Sequence, residues 1–556
     1  MSLEYSMVPG DELNAFFTEY YKLFVNRFTY YCGPIVIQRG DERTVVLSTH
    51  DTLDVNFQEF TRRKLTEFGI TSQDVHGRKN IVTFYNRLIA EVIRELVTEI
   101  RAFNPIRVFE IVYCIAGYMA EFHTRINMVL YGDFPLEQLT INDDERLLLE
   151  TIINCPPESR YNIEIIKGTD KMIAQYLTPL ILGSSDNITR VTEEFTSVAF
   201  VKLFSLTGIA VKLIADREIA TGVLPNEMGV KIRDGTIERF TTYEFYFKFV
   251  QEVTTMREDY DMPDDVRREL YENFTRVYGF MPTTVERLLM TLHDRNLDES
   301  VCSIIPLDLF KQLVTDLAKV SIEEAEEFLY YFSMGSSDRE NSLYLSPEKL
   351  EKRLWENPLV LFGSDPDNLF VFFSVPLMAD AYRILQHKLQ YNLIPGCASL
   401  SSKTVETVIK NSLVEEVVHA LIEHAYDPVW RNFQDANIET NAGVHRLHLL
   451  GEVDVLGAID STLLIIECKD LSPRFTSAGI RADTEKTRNY VTTMVQKVGD
   501  IKSNLTDLEV LLGRKVSKIV PLIVFRHPTA AESLLPAVSE VRILSFKEFK
   551  SRLPIY

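Results

Sequence analysis

This 556-residue chain has few cysteines, and none of the six is close to another. They stand at Cys32, Cys114, Cys155, Cys302, Cys397 and Cys468, so no Cys-x-x-Cys pair occurs. The spacing argues against a zinc ribbon and is typical of reduced thiols. The chain also lacks a run of about 18 uncharged apolar residues, the length that a transmembrane helix needs. Residues 1–11 carry acids and no apolar core of a secretory signal. We therefore expect a cytoplasmic protein without a membrane partner.

Two nucleotide- and ester-handling motifs are missing as well. No Gly-x-x-x-x-Gly-Lys-Ser/Thr loop occurs, which argues against an ATP-driven motor within this chain. No Gly-x-Ser-x-Gly sequence of the serine hydrolases occurs either. No repeat of fixed period is found. The length exceeds one typical domain, so two to four domains are expected.

Basic residues are scarce in most of the chain. The whole sequence has 59 Lys and Arg against 80 Asp and Glu, and residues 1–400 have 40 against 60. Because nucleic-acid surfaces are normally basic, this N-terminal part is a poor nonspecific DNA binder. It is expected to regulate or target the protein, through a protein partner, a homo-oligomer or substrate positioning. Residues 401–556 are nearly balanced, with 19 against 20.

The first 390 residues are predicted to be mostly helical. The apolar stripe of residues 81–100 and the capping boxes at Thr283 and Ser321 indicate helices. We predict a helical N-terminal region at 1–180, and a second mainly helical region at 181–395 with a short β-hairpin near 358–375. A third domain is predicted at 400–556.

Charged residues end an apolar strand in that third domain. Residues 463–466 are wholly apolar and lead into Glu467-Cys468-Lys469. Successive side chains of a strand point to opposite faces, so Glu467 and Lys469 share one face. Residues 458–462 form a short hairpin connection with turn-forming residues, which brings Asp454 on the preceding strand close to Glu467.

Two carboxylates beside a lysine suit metal-assisted hydrolysis. Mg²⁺ is often held by one or two protein carboxylates together with water and substrate phosphate. Lys469 would orient the attacking water or offset negative charge in the transition state. The alternative is a surface ion-pair ladder. The apolar strand argues against it, because charges at the end of a buried strand need a partner or a purpose.

Asp454, the hairpin and Glu467-Cys468-Lys469 resemble the core of the PD-(D/E)XK restriction-endonuclease-like nuclease superfamily, in particular its Mrr-like or defence-associated branches. Position 453 is Val, where the superfamily name has Pro. The resemblance covers residues 400 to 556. It implies an α/β restriction-endonuclease-like domain, with a central mixed sheet flanked by helices, behind the helical N-terminal region. It also implies an endonuclease that hydrolyses phosphodiester bonds with Mg²⁺, for which Mn²⁺ can substitute, and no further cofactor.

The same resemblance implies that DNA is the favoured substrate and that the protein acts in defence against foreign DNA. An RNase remains open, since the motif does not separate the two. A noncatalytic binding or scaffolding protein that keeps a nuclease fold also remains open. Basic residues that could contact phosphates follow the triplet Glu467-Cys468-Lys469. They are Arg474, Arg481, Lys486, Arg488, Lys497, Lys502, Arg514, Lys515 and Lys518.

In this superfamily a helix with a glutamate precedes the strands, and residues 403–425 have a helical rhythm. At about 100° per residue, Glu415 aligns with Val408, Val418 and Ile422, so Glu415 is predicted to point inward. Glu415, Asp454 and Glu467 are then the metal ligands. The competing acid Glu416 aligns with the polar set Ser412, His419 and Glu423 on a predicted solvated face; a metal at His419 and Glu423 is the less favoured alternative.

A second helix is predicted at 483–505, after the triplet. The superfamily often places a Gln or Lys near the phosphate on this helix, which makes Gln496 and Lys497 auxiliary candidates for a phosphate or substrate contact. Both are equally compatible with ordinary surface positions. A strand is predicted at 519–525 and an edge strand at 542–544.

Overall fold

A computed structural model describes most of the chain. The described residues are 10–39, 42–132, 134–184, 193–222, 229–239, 263–294, 302–334, 353–362, 369–440, 443–470, 477–529 and 540–553. Contacts within the chain divide it into two compact units, residues 1–241 with 267–400, and residues 401–556 with 242–266. The division after residue 400 lies where the sequence predicts the start of the third domain.

The first unit is built mainly from long helices. In chain order these are α1 Gly10–Cys32, α2 Thr52–Glu67, α3 Arg78–Ile100, α4 Pro105–Tyr131, α5 Asp143–Ile153, α6 Pro157–Ser184, α7 Ser197–Gly222, α8 Asp264–Tyr278, α9 Thr283–Asp294, α10 Leu307–Ala318, α11 Ile322–Phe332 and α12 Val375–Gln390. Leu88, Val92 and Leu96 of α3 are fully buried, as the apolar stripe predicts. Ser321 caps α11 by accepting the backbone N–H of Glu324.

The described residues of this unit also form three small sheets. They contain β1 Ile35–Arg39 and β2 Glu42–Val46; β3 Gln73–His76, β4 Gly229–Arg233 and β5 Thr236–Arg239; and β6 Ser303–Pro306, β7 Ser333–Met334, β8 Leu359–Phe362 and β9 Phe370–Phe373. Strands β8 and β9 pair antiparallel within residues 358–375, where the sequence predicts a hairpin.

The predicted division at residue 180 falls inside α6. Ile181 of α6 and Phe204 of α7 belong to one hydrophobic core, which runs through α1 to α7. A separate core contains Phe274, Phe310 and Phe328 and lies among α8 to α12. Helix α6 continues past Gly168, because a glycine inside a helix costs only about 1 kcal/mol relative to alanine, less than the packing of α6 provides.

Within the described part of the chain, one helix is long and apolar enough by composition to cross a membrane. It is the stretch Ser197–Glu218 of α7, which contains no uncharged run of 18 residues because Lys202 and Lys212 interrupt its apolar residues. In the structure 61% of the apolar 18-residue window in this stretch is buried inside the protein. Packing in the first unit's core therefore accounts for its apolar composition.

The second unit contains a five-stranded mixed sheet. Its strands are β10 Val429–Thr440, β11 Gly443–Ile459, β12 Thr462–Lys469, β13 Lys518–Phe525 and β14 Arg542–Ser545, in that spatial order. Strands β10, β11 and β12 pair antiparallel, and β12, β13 and β14 pair parallel. The helices are α13 Lys403–Glu423, α14 Ser477–Ser503, α15 Leu505–Leu512 and α16 Phe546–Arg552.

The two faces of β12 are covered by different helices. Leu464, Ile466 and Cys468 pack in a core with α13 and α16. Leu463 and Ile465 pack in a second core with α14 and α15. The predicted alternation of β12 is confirmed, and Cys468 lies behind the strand as predicted. The protein thus combines a mainly helical first unit with a layered α/β second unit.

Candidate functional site

The β11–β12 hairpin brings Asp454 beside the end of β12. Val455 lies opposite Ile466 in the antiparallel register, so the next residues outward are Asp454 and Glu467. The backbone N–H of Cys468 donates to Asp454 Oδ2 at 2.7 Å. This hydrogen bond fixes the carboxylate against the end of the neighbouring strand.

Lys469 joins the two carboxylates. Its Nζ lies 2.9 Å from Glu467 Oε2 and 3.3 Å from Asp454 Oδ2. The same ammonium lies 5.2 Å from the ring centroid of Tyr490 on α14, which places a π-face beside the cation. The three predicted catalytic residues therefore converge, and a single cationic group contacts both carboxylates.

Lys497 enters the site from α14. Its ammonium donates to Glu467 Oε1 and to the backbone carbonyl of Glu452. The neighbouring residue Gln496 is exposed. Of the two auxiliary candidates, the structure brings Lys497 to the carboxylates and leaves Gln496 on the surface.

A bulge in β11 lies directly before the site. The β10–β11 register shifts between Phe433, which pairs with Val453, and Asp435, which pairs with His448. One residue of β10, Gln434, thus faces residues 449–452 of β11. The extra residues leave the regular ladder, and the Glu452 carbonyl is among them, where it receives the Lys497 ammonium.

The electrostatics favour a cation at this point. Burial raises the pKa of Asp454, and the Glu467 carboxylate raises it further against the opposing effect of Lys469. Burial lowers the pKa of Lys469, but Asp454 and Glu467 outweigh it, so the pKa is raised overall. The lysine therefore stays charged. Burial raises the pKa of the Cys468 thiol well above its ordinary value, which argues against a nucleophilic role for it.

A buried arginine clamps the end of the same strands. Arg526 follows β13 and is only 3% exposed. Its backbone N–H donates to the Lys469 carbonyl at 3.2 Å, and its Nε donates to Asp470 Oδ2 at 2.7 Å. Its Nη1 and Nη2 donate to Glu416 Oε1 and Ser412 Oγ of α13 at 2.7 and 2.6 Å. Arg526 thus ties α13 to the strand end that carries Lys469.

The prediction that Glu415 points inward is wrong. Its side chain is 52% exposed and forms an ion pair with Arg431, which is 63% exposed. Helix α13 packs on the opposite face of β12 from α14, whereas Glu467 contacts Lys497 of α14. Among the described contacts, Glu415 therefore does not join Asp454 and Glu467, and it is Glu416 that reaches a buried partner.

The reason lies in the helix itself. Apolar residues occur around much of α13, so they do not define one face: Ile422, which aligned Glu415 with the interior, is 58% exposed. His419 and Glu423 are exposed and pair with each other at 3.1 Å, as predicted for the solvated face. The prediction is wrong for Glu416, the third member of that face, because Glu416 accepts a hydrogen bond from the buried Arg526.

Replacing Glu415 with alanine is expected to change the free energy of unfolding by less than about 1 kcal/mol, because exposed ion pairs contribute little. It is also expected to leave phosphodiester cleavage unchanged. Chemical denaturation and a cleavage assay of Glu415→Ala measure both quantities. A large loss of cleavage in this variant, with folding intact, would restore Glu415 to the metal site.

The residues present fit one hard divalent cation. Asp454 and Glu467 lie close enough for one ammonium to contact both, and two carboxylates with water suffice for Mg²⁺. Within the described ranges, no group of three or more His, Cys, Asp or Glu side chains could hold a metal. The fit is therefore to two carboxylates, without the third ligand predicted from Glu415.

Sequence reasoning missed Tyr490 and the Arg526 clamp as parts of the site. The clamp had a signal, because Asp470 and Arg526 each follow a strand, and β12 and β13 are parallel neighbours with Lys469 opposite Phe525. Of the basic residues predicted to contact phosphates, Lys486 and Arg488 are exposed on α14, and Lys515 is exposed but paired with Glu509. Arg474 lies outside the described residues.

No protein-family model, no curated protein and no solved structure matches this chain. The resemblance to the PD-(D/E)XK nucleases therefore rests on the chain's own residues.

Proposed function

We propose that the second unit is a metal-dependent nuclease that hydrolyses phosphodiester bonds, with DNA as the favoured substrate. The observation that carries the proposal is the contact of Lys469 with both Asp454 and Glu467 at the ends of two paired strands. The mixed sheet between helical layers is compatible with the restriction-endonuclease-like fold that the resemblance implies.

The reaction adds the oxygen of water to phosphorus and breaks one P–O ester bond. The water loses a proton, and the departing oxygen gains one. Asp454 and Glu467 would hold Mg²⁺, or Mn²⁺ in its place. When bound there, the metal would polarise the scissile phosphate and make water more acidic.

The chain's own side chains supply the remaining steps. Lys469 orients the attacking water and offsets the charge that develops on the phosphate oxygens. The Cys468 N–H holds the Asp454 carboxylate in place. Lys497 would hold Glu467 in its orientation and attract the substrate's phosphate.

The acidic residues 1–400 would regulate or target this activity. Their net negative charge opposes nonspecific contact with nucleic acid, so a protein trigger or a homo-oligomer fits them better. We place the protein in the cytoplasm and in defence against foreign DNA, the latter by analogy with similar nucleases.

A noncatalytic scaffold is the second candidate, and one observation favours it. Both Glu467 oxygens and one Asp454 oxygen already accept hydrogen bonds from lysines. These oxygens therefore have partners without a bound metal. A scaffold of this kind would bind nucleic acid or protein without any response to metal. An RNase is the variant of the first proposal that differs only in substrate.

A cleavage panel tests the proposal and its variants. The full chain is incubated with matched single- and double-stranded DNA and RNA, in Mg²⁺, Mn²⁺ or EDTA. Cleavage of DNA that needs the metal is expected. Cleavage of RNA alone would make the protein an RNase, and no metal-dependent cleavage of any substrate would favour the scaffold.

A further inference from the structure

A groove runs along strand β10, whose partner strand β11 carries Asp454. It has a volume of about 610 Å³, and its lining includes Trp430, Phe433, Gln434 and Glu452. The rings of Trp430 and Phe433 stack at 5.2 Å between centroids and 28° between planes. Among the described strands, β10 is the outermost of the sheet, so a ligand would approach this groove from the outer side of β10.

The groove and the carboxylate site are linked through Glu452. Glu452 lines it, and the Glu452 carbonyl accepts the ammonium of Lys497, which also contacts Glu467. Phe433 lies opposite Val453, the residue before Asp454. Paired residues on antiparallel strands have Cα atoms about 5 Å apart, so the backbone of Phe433 lies close to that of Asp454. Trp430 lies opposite Leu456, two residues after Asp454.

The chemistry of the lining suits a nucleobase. Trp430 offers an aromatic surface on which any base can stack. Asn432 and Gln434 offer amide donors and acceptors for a base edge. A nucleobase has an aromatic face that can stack on Trp430 and a polar edge that can bond to these amides.

The same lining does not suit a phosphate. Arg431 is the single cation among the groove's described lining residues, and its guanidinium pairs with Glu415. Asp435 and Glu452 add negative charge to the same groove. These carboxylates repel a nucleic-acid backbone, so the occupant is the base and the phosphate stays beside Lys469 and Lys497.

We infer that this groove holds one unpaired base of the nucleic acid, stacked against Trp430, next to the phosphate that is cut. The inference rests on the proposed nuclease function and narrows it. A base in a regular duplex is stacked between its neighbours and cannot enter a side groove without leaving the helix. The preferred substrate is therefore a single strand or a site with a flipped or unpaired base.

Tryptophan fluorescence offers a direct test, because the chain has only two tryptophans. The other is Trp355, a buried residue of the first unit. The full-length Trp355→Phe variant makes Trp430 the sole tryptophan, and it is titrated with a single-stranded DNA oligonucleotide in EDTA, which prevents cleavage. Stacking should quench the Trp430 emission. An abasic oligonucleotide of the same length should not, and a blunt duplex should quench less.

The second readout is the affinity for a fluorescein-labelled single-stranded oligonucleotide, measured with proteins that keep Trp355. Trp430→Leu should weaken binding by about ten-fold or more, since stacking on an aromatic side chain contributes substantially to each contact. Trp430→Phe, which keeps a ring, should stay within about three-fold of wild type. Thermal unfolding of each variant shows whether it is folded.

Equal quenching by the abasic and normal oligonucleotides, or no quenching at all, would overturn the base site. So would wild-type affinity in folded Trp430→Leu. These results do not depend on cleavage, whereas the nuclease proposal fails on the absence of metal-dependent cleavage. The two failures are therefore distinguishable.

Discussion

Replacing Lys469 with methionine is expected to lower the rate of Mg²⁺-dependent cleavage about 100-fold or more. A positioned charge that stabilises a transition state contributes a factor of this order. Methionine keeps an unbranched side chain as far as the ε position and removes the ammonium that contacts Asp454 and Glu467. The rate is measured under single-turnover conditions with a labelled oligonucleotide.

Lys547→Met is the matched control, because Lys547 is an exposed lysine on the terminal helix α16. It should cleave as wild type does. Mn²⁺ binding by Lys469→Met, measured by calorimetry, should persist or tighten, since both carboxylates remain and lose a competing cation. Wild-type cleavage by folded Lys469→Met would remove Lys469 from the chemistry.

Replacing Arg526 with methionine is expected to lower the free energy of unfolding by about 3–5 kcal/mol, the usual cost of breaking a buried ion pair from one side. The guanidinium is buried and makes side-chain contacts with Asp470, Glu416 and Ser412. Its loss leaves the Asp470 carboxylate without its cation. Chemical denaturation followed by circular dichroism measures the change.

The exposed pair of Arg431 and Glu415 supplies the control, because it also joins a strand residue to α13. Arg431→Met should cost less than about 1 kcal/mol. A similar loss of unfolding free energy in both arginine variants would contradict the conclusion that Arg526 ties α13 to the end of β12.

The loss of unfolding free energy in Arg526→Met should also depend on pH. Burial raises the pKa of Asp470, and Arg526 opposes this effect, so removing Arg526 raises the pKa further. A carboxyl that binds its proton more tightly when folded favours the folded state as the pH falls through its folded pKa. The difference in unfolding free energy between wild type and Arg526→Met should therefore become smaller toward acidic pH.

The central hairpin could be predicted because one strand is apolar on both faces. The apolar run 463–466 predicts where β12 lies in the sequence. Period-two alternation then predicts that Glu467 and Lys469 share one face, as observed. Strand β13 and helix α14 were predicted from similar apolar patterns, with α14 beginning six residues earlier than predicted, at Ser477.

Two features could not be predicted in the same way. In the β10–β11 pair, residues 449–452 of β11 bulge opposite Gln434 of β10, which breaks the alternation that marks a strand. The choice between Glu415 and Glu416 depends on the rotation of α13, which its widely spread apolar residues do not fix. The buried partner Arg526 lies 110 residues from Glu416 in sequence, so only the folded chain shows which acid turns inward.

The most direct test of the metal-dependent nuclease is DNA cleavage by the full chain and by its Asp454→Asn variant in Mg²⁺ and Mn²⁺. Both proteins should be folded, because asparagine keeps the shape of the side chain and an oxygen that can accept the Cys468 N–H. The wild type should cut DNA in either metal and not in EDTA, and Asp454→Asn should lose this activity. Equal cleavage by both proteins, or none by the folded wild type in either metal, would contradict the account.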